Sequence, residues 1–208
     1  MYSMGVNKLV NFGLICLLFS ASLWAHAELF GSSHEEGIAA FKRGDYEAAA
    51  SALSDAATQD DPEAYYYLGN LYRKGLGGLS RDPMGAYRLL KAAAAEGFAP
   101  ACMDLADWYS KGGEGIKTSP DLAILWWQKA ANLHVLAAQL RLADIYEKGW
   151  RGVLPDLELA RHWLEQAVAQ GDSGAEQRIE HMATADPGVA VSASPDIRPA
   201  DLAVSHKH

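Results

Sequence analysis

The chain has 208 residues, half of them apolar, and a formal net charge of −8 at pH 7. That length suffices for one domain with a real core, and the acidic balance argues against nucleic acid or an anionic lipid surface as partner, because those affinities come from cations that neutralise phosphates. Alanine is abundant while valine and isoleucine are sparse, which suits helices better than sheet.

Residues 1–8 carry one cation, Lys8, ahead of an apolar run that reaches Leu23 and ends in Ala25-His26-Ala27. A short apolar run closed by a small-x-small triplet is the pattern of a secretory signal peptide, with cleavage expected after Ala27. The run is short for a spanning helix, so no membrane insertion is expected after cleavage. Cys16 follows Leu14-Ile15, whereas the residue before a lipidated cysteine should be small (Gly or Ala), which argues against lipidation. Removal of 1–27 would take away Lys8 and Cys16, leaving a more acidic chain with Cys102 as its one thiol. A single thiol makes no internal disulfide, so packing must hold the exported protein together.

Residues 28–61 read as a helix hairpin turning at Gly44-Asp45-Tyr46, with Gly37, Phe41, Ala49, Leu53 and Ala56 at helical spacing. From residue 62 one phrase is then written three times, as LGNLYRKGLGG, LADWYSKGGEG and LADIYEKGWRG, at a constant pitch of 37 residues. Ala64, Leu68 and Tyr72 recur as Ala101, Leu105 and Tyr109 and as Ala138, Leu142 and Tyr146, four apart on one helix face. A small residue (Gly69, Ala106, Ala143) follows the leucine and admits a close second helix. Gly75, Gly112 and Gly149 stop the first helix. Gly78, Gly115 and Gly152 follow, each before an aliphatic residue (Leu79, Ile116, Val153) expected to tuck inward. Asp82, Ser119 and Asp156 are N-caps for the second helix, with Pro83 and Pro120 at its first position. Its inner face runs Ala86, Leu89, Leu90, Ala93; then Ala123, Trp126, Trp127, Ala130; then Ala160, Trp163, Leu164, Ala167. Ala175 and Ile179 continue the pitch once more, and Glu180 breaks it, so 173–183 reads as a capping helix with one polar face. Pro187, Pro195 and Pro199 punctuate a stretch too poor in large apolar residues for a core, and 184–208 reads as a disordered tail.

These residues carry a resemblance. The three units, 62–98, 99–135 and 136–172, resemble the Sel-one-like repeat (SLR), a relative of the tetratricopeptide repeat (TPR); 28–61 resembles a plain TPR without the glycine loop. Departures fall at Leu89, where an aromatic is usual, at Ser119 for Asp, and at His134 for the unit-ending Gly. The resemblance implies an all-α, right-handed α-solenoid: one TPR-like hairpin, three SLR hairpins and a cap helix. One hairpin cannot bury its own apolar face, so stacked units share a core and repeat its letters.

Little is left over for chemistry. The glycine runs lack the preceding strand and the Gly-Lys-Ser/Thr ending of a phosphate loop. Lys74, Lys111 and Lys148 sit where a cation offsets a helix C-terminus. No His/Cys cluster has metal spacing, so neither metal nor cofactor is expected. Cys102 reads as a small core residue, and Trp126-Trp127 as core rather than a sugar platform. No catalytic constellation stands out, so the chain is read as no enzyme. By likeness to TPR and SLR arrays, the concave side carries Tyr66, Asn70 and Arg73; Met103, Asp107 and Ser110; Leu140, Asp144 and Glu147. That mixture of anchors and polar groups suits a protein or peptide partner. The resemblance further implies a periplasmic scaffold or adaptor in a cell-envelope assembly, with polysaccharide secretion, flagellar motor rings and restraint of signalling proteins as its range. The alternatives are a regulator that masks a sensor ectodomain and, more remotely, a cell-wall hydrolase.

Overall fold

The computed structural model describes residues 33–185. The expected cleavage after Ala27 and the tail beyond Ala185 lie outside the described residues. Those described are all-α, a succession of helix hairpins of the solenoid class, and the only β features among them are the isolated bridges Gly113–Ile116 and Trp150–Val153. The chain divides into two compact units, with the boundary between Leu133 and His134.

In the first unit, α1 covers 33–43. It is followed by α2 (Tyr46–Ala57), α3 (Pro62–Lys74), α4 (Pro83–Ala95), α5 (Ala99–Lys111) and α6 (Pro120–Asn132). Successive helices form the main contacts: α2 with α3, α3 with α4, α4 with α5, α5 with α6. The repeated letters are the core. Ala64, Ala86, Leu90, Ala93, Ala101, Leu105, Ala123 and Ala130 have no exposed surface, and Trp127 is almost as enclosed. Each fully buried leucine removes enough apolar surface to contribute about 1.5–3 kcal/mol. The second unit has α7 (Leu136–Lys148), α8 (Leu157–Val168) and α9 (Ser173–Ala185). Its core holds Ala138, Leu142, Tyr146, Ala160, Trp163, Leu164, Ala167, Ala175 and Met182. The helix α9 runs two residues past the expected end at 183.

Caps form where the letters place them. The side chains of Asp82, Ser119 and Asp156 accept from the backbone N–H of Gly85, Leu122 and Leu159. Their own N–H groups donate to the carbonyls of Tyr72, Tyr109 and Tyr146, at 2.9, 2.9 and 2.6 Å. The glycine loop therefore doubles back until the next helix starts against the repeat tyrosine's carbonyl. Gly75 is left-handed (φ 68, ψ 49), as expected of a C-cap. Gly112 (φ 71, ψ −170) and Gly149 (φ 76, ψ 158) differ: positive φ with extended ψ is a region essentially reserved for glycine. Leu79, Ile116 and Val153 are half-buried, so the loops tuck inward only in part.

A third repeated feature is conformational. The turns that end the units at Asp60, Gly97, His134 and Gly171 all have positive φ (60, 81, 60 and 88). Two of the four are not glycine. Asp60 gains a compensating bond, accepting from the Tyr65 hydroxyl at 2.6 Å.

Candidate functional site

The face shared by α3 and α5 is built around one buried amide. Asn70, only 7% exposed, donates to the Tyr66 carbonyl at 3.1 Å and accepts from the Arg73 guanidinium at 2.9 Å. This aims Arg73 across to α5, where its Cζ stands 5.8 Å from the centroid of the Trp108 ring, within cation–π range. Trp108 also stacks on Tyr87 of α4 (6.3 Å, 14° between planes). The Tyr87 and Tyr109 hydroxyls share a hydrogen bond of 2.7 Å. Burial and that bond push Tyr109 up to about 12. Tyr66 lies half-buried, its ring 5.2 Å from Phe98 and 5.3 Å from Tyr67.

The α5 side of this face is acidic. Asp107 accepts from Lys111 at 2.7 Å, one turn along the helix. Asp104 is half-buried and, among the described residues, has no hydrogen bond or ion pair. Burial raises its carboxyl above the ordinary range, and the nearby charge of Arg73 offsets this in part. Met103 is half-buried, and Ser110, 5% exposed, donates to the Asp107 carbonyl at 2.9 Å. Of the six residues expected on this face, Tyr66, Arg73, Met103 and Asp107 thus present surface, whereas Asn70 and Ser110 are interior braces.

In the second unit, Leu140, Asp144 and Glu147 lie on α7, each half-buried. Asp144 and Glu147 are not open to solvent alone: Arg178 of α9 donates to both, to Asp144 at 2.7 Å. Burial works against the guanidinium's charge, but the hydrogen bond and charge of Glu147, with those of Asp144, win and raise its pKa. Gln170 donates to the buried Gln139 at 2.7 Å.

Sequence reasoning missed Trp108, Tyr87 and Asp104. A signal existed for Trp108. It stands one pitch after Leu71 and one before Ile145, which are fully or almost fully buried. An indole at an aliphatic core position must put its excess area elsewhere.

The remaining candidates resolve as packing. Cys102 is 1% exposed, and burial raises its thiol, which disfavours the reactive thiolate. Trp126 and Trp127 are buried, with the Lys129 ammonium 4.2 Å over the Trp126 ring. Among the described residues no three His, Cys, Asp or Glu side chains converge on a metal position. An open recess of about 540 Å³ lies beside His34, Glu35, Asp60 and Asp61. Two of its three carboxylates are engaged, since Asp61 caps α3 and meets His34 and Asp60 accepts from Tyr65, while Glu35 is exposed.

The Sel1 repeat family model matches residues 62–98, 99–135 and 136–172, together just over half of the chain. Among solved structures the chain is similar to a Sel1 repeat protein from Oxalobacter formigenes, at 31% identity and a TM-score of 0.60, over 69% of this chain and 56% of that one. It is also similar in fold to a protective antigen present in uropathogenic Escherichia coli strains displaying an SLR fold, at 24% identity and a TM-score of 0.60, over 77% of this chain and 35% of that one. The chain thus spans less than two thirds of the length of either protein. No curated protein sequence matches it.

Proposed function

The chain belongs to the Sel1 repeat family, and we propose that it is a non-catalytic adaptor that holds a partner protein or peptide on the exposed faces of its first helices. Sel1 repeat proteins typically mediate protein–protein interaction. The observation that carries the reading here is the α3–α5 face. Tyr66, Arg73 and Trp108 are each half-buried, so part of each large aromatic or cationic group stays at the surface. Aromatic and arginine side chains braced from beneath are the groups that dominate protein interfaces. The hydrogen bond by which Asn70 fixes the Arg73 guanidinium lowers the ordering cost of binding.

The place of action we propose is the periplasm, within a cell-envelope assembly. Support comes from the apolar N-terminal run and the Ala25-His26-Ala27 triplet. Cell fractionation with N-terminal sequencing tests this: a periplasmic species beginning at Glu28 is expected, and a species retaining residue 1 in the cytoplasm overturns it.

The function is tested by cross-linked capture from the native cell envelope, followed by mass spectrometry. The expected result is an abundant partner that disappears with Tyr66→Ser plus Met103→Ser, while circular dichroism shows the helical fold retained at the temperature of capture. Capture undiminished by the double change rejects this face. Turnover of peptidoglycan by the purified protein rejects the non-catalytic reading.

A further inference from the structure

The two units place related residues with charge reversed at two of three positions, Asp104 against Arg178 and Arg73 against Glu147. Arg178 on α9 stands two pitches after Asp104 on α5. Asp144 and Glu147 on α7 likewise stand two pitches after Asn70 and Arg73 on α3. In the second unit the later helix supplies a cation, and it is consumed by two carboxylates of the earlier one. In the first unit the later helix supplies the carboxylate. The cation opposite, Arg73, does not consume it: the Asn70 carbonyl oxygen and the Trp108 ring hold that guanidinium instead. Asp104 is left half-buried without an ion-pair partner among the described residues, beside the Tyr66–Phe98 ring pair. Acidic residues outnumber basic ones by 26 to 18 over the chain, so its field favours a cationic visitor.

We propose that Asp104, flanked by Tyr66 and Trp108, is a receptor for a lysine or arginine side chain of a basic partner segment. This deepens the adaptor reading and rests on it. A carboxylate already partly stripped of water gives a stronger pairing than one at the open surface, because the cation meets less screening. The aromatic rings accept the methylene stem and the charged head of such a side chain. Arg178 shows in the same fold, at the equivalent position, that a cation between successive first helices is well held.

The test uses the full chain and fluorescein-labelled peptides of one length and one tyrosine content, carrying lysine, glutamine or glutamate at the same positions. Fluorescence anisotropy at low salt is expected to show binding of the lysine peptide in preference to the other two. Asp104→Asn should weaken it about fivefold to tenfold, and Asp55→Asn, an equal loss of charge at an exposed position of α2, less than about twofold. Asp104→Asn is nearly isosteric and removes a carboxylate that burial disfavours, so the variant should unfold no earlier than the parent; a circular dichroism melt checks this. Equal binding of all three peptides, lost on Tyr66→Ser, overturns the cation receptor and leaves the adaptor reading standing. Lysine-peptide binding unchanged in Asp104→Asn also overturns it. Failure of every peptide to bind overturns it too, and the envelope capture, which presumes no charge, then decides the adaptor reading alone.

Discussion

Arg178 on α9 donates to Asp144 on α7 at 2.7 Å, across 34 residues of sequence, and the same guanidinium also reaches Glu147. A half-buried cation with two carboxylate partners fastens the last helix to its neighbour's polar edge, while Ala175 and Met182 fasten its apolar side. Removing the guanidinium leaves two half-buried carboxylates facing one another. Arg178→Met is therefore expected to cost about 1–3 kcal/mol in urea unfolding, and Arg178→Lys to recover only part of it, since one ammonium lacks the planar fork. Amide exchange in α9 should accelerate first. An unchanged midpoint in Arg178→Met would show the bridge to be idle.

His134 occupies the left-handed turn that glycine occupies at 97 and 171. An L side chain there costs about 1–2 kcal/mol. His134→Gly is expected to raise stability by about 0.5–1 kcal/mol, after the added freedom of the unfolded glycine is subtracted. The reverse change has no steric component at Gly97, where an added Cβ would meet nothing within 4 Å. Gly97→Ala should then cost about 1 kcal/mol from backbone conformation alone. Chemical denaturation of both variants checks the pair, and the two signs must be opposite.

Gly77 answers to a different force. An added Cβ would sit 2.1 Å from the Tyr46 carbonyl oxygen, so the first glycine loop is pressed against the start of α2. Neighbouring Gly78 has a similar φ and open space around it. Gly77→Ala is expected to cost about 3 kcal/mol or more, against about 1 kcal/mol for Gly78→Ala. Similar costs at the two positions would mean that the loop is not held against α2.

The Tyr87–Tyr109 pair predicts an alkaline limit. Tyr109 is pushed up to about 12 by burial and by the Tyr87 hydroxyl, from an ordinary value of 10.0. A raised folded value means that the folded state holds its proton longer than the unfolded one. The stabilising contribution is therefore complete below pH 10 and is lost as pH rises toward 12. Tyr87→Phe should narrow that window but not close it, because burial is the larger cause. Ultraviolet titration of tyrosinate, run beside the pH dependence of the unfolding midpoint, reads both effects.

Much of the fold was legible from spacing. The run Ala64, Leu68, Tyr72 and its copies mark the inward helix face, buried at every alanine and leucine and half-buried at Tyr72 and Tyr109, and Asp82, Ser119 and Asp156 mark where the partner helices begin, as the hydrogen bonds show. Such signals are local: helix periodicity and capping depend on residues within a turn or two of one another. The surface was less legible. Asn70 and Ser110 fall at positions that a polar letter suggests are open, yet both are buried, because each satisfies its hydrogen bonds within its own helix or from the next turn. Trp108 occupies a core phase, yet its ring joins Arg73 and Tyr87.

The sequence by itself therefore determined the hairpins, their pitch and the identity of the core, since an apolar stripe must be buried whatever lies across from it. Only the tertiary structure decided which long side chains meet across neighbouring helices. The pairing of Arg178 with Asp144 and Glu147, and the lone carboxylate of Asp104 beneath a diverted Arg73, share one phase of the repeat and carry opposite charge patterns. A periodic code sets the direction in which a side chain leaves its helix. Whether it finds a partner depends on the distance between helices and on which competing group, here the amide of Asn70 and the ring of Trp108, reaches it first.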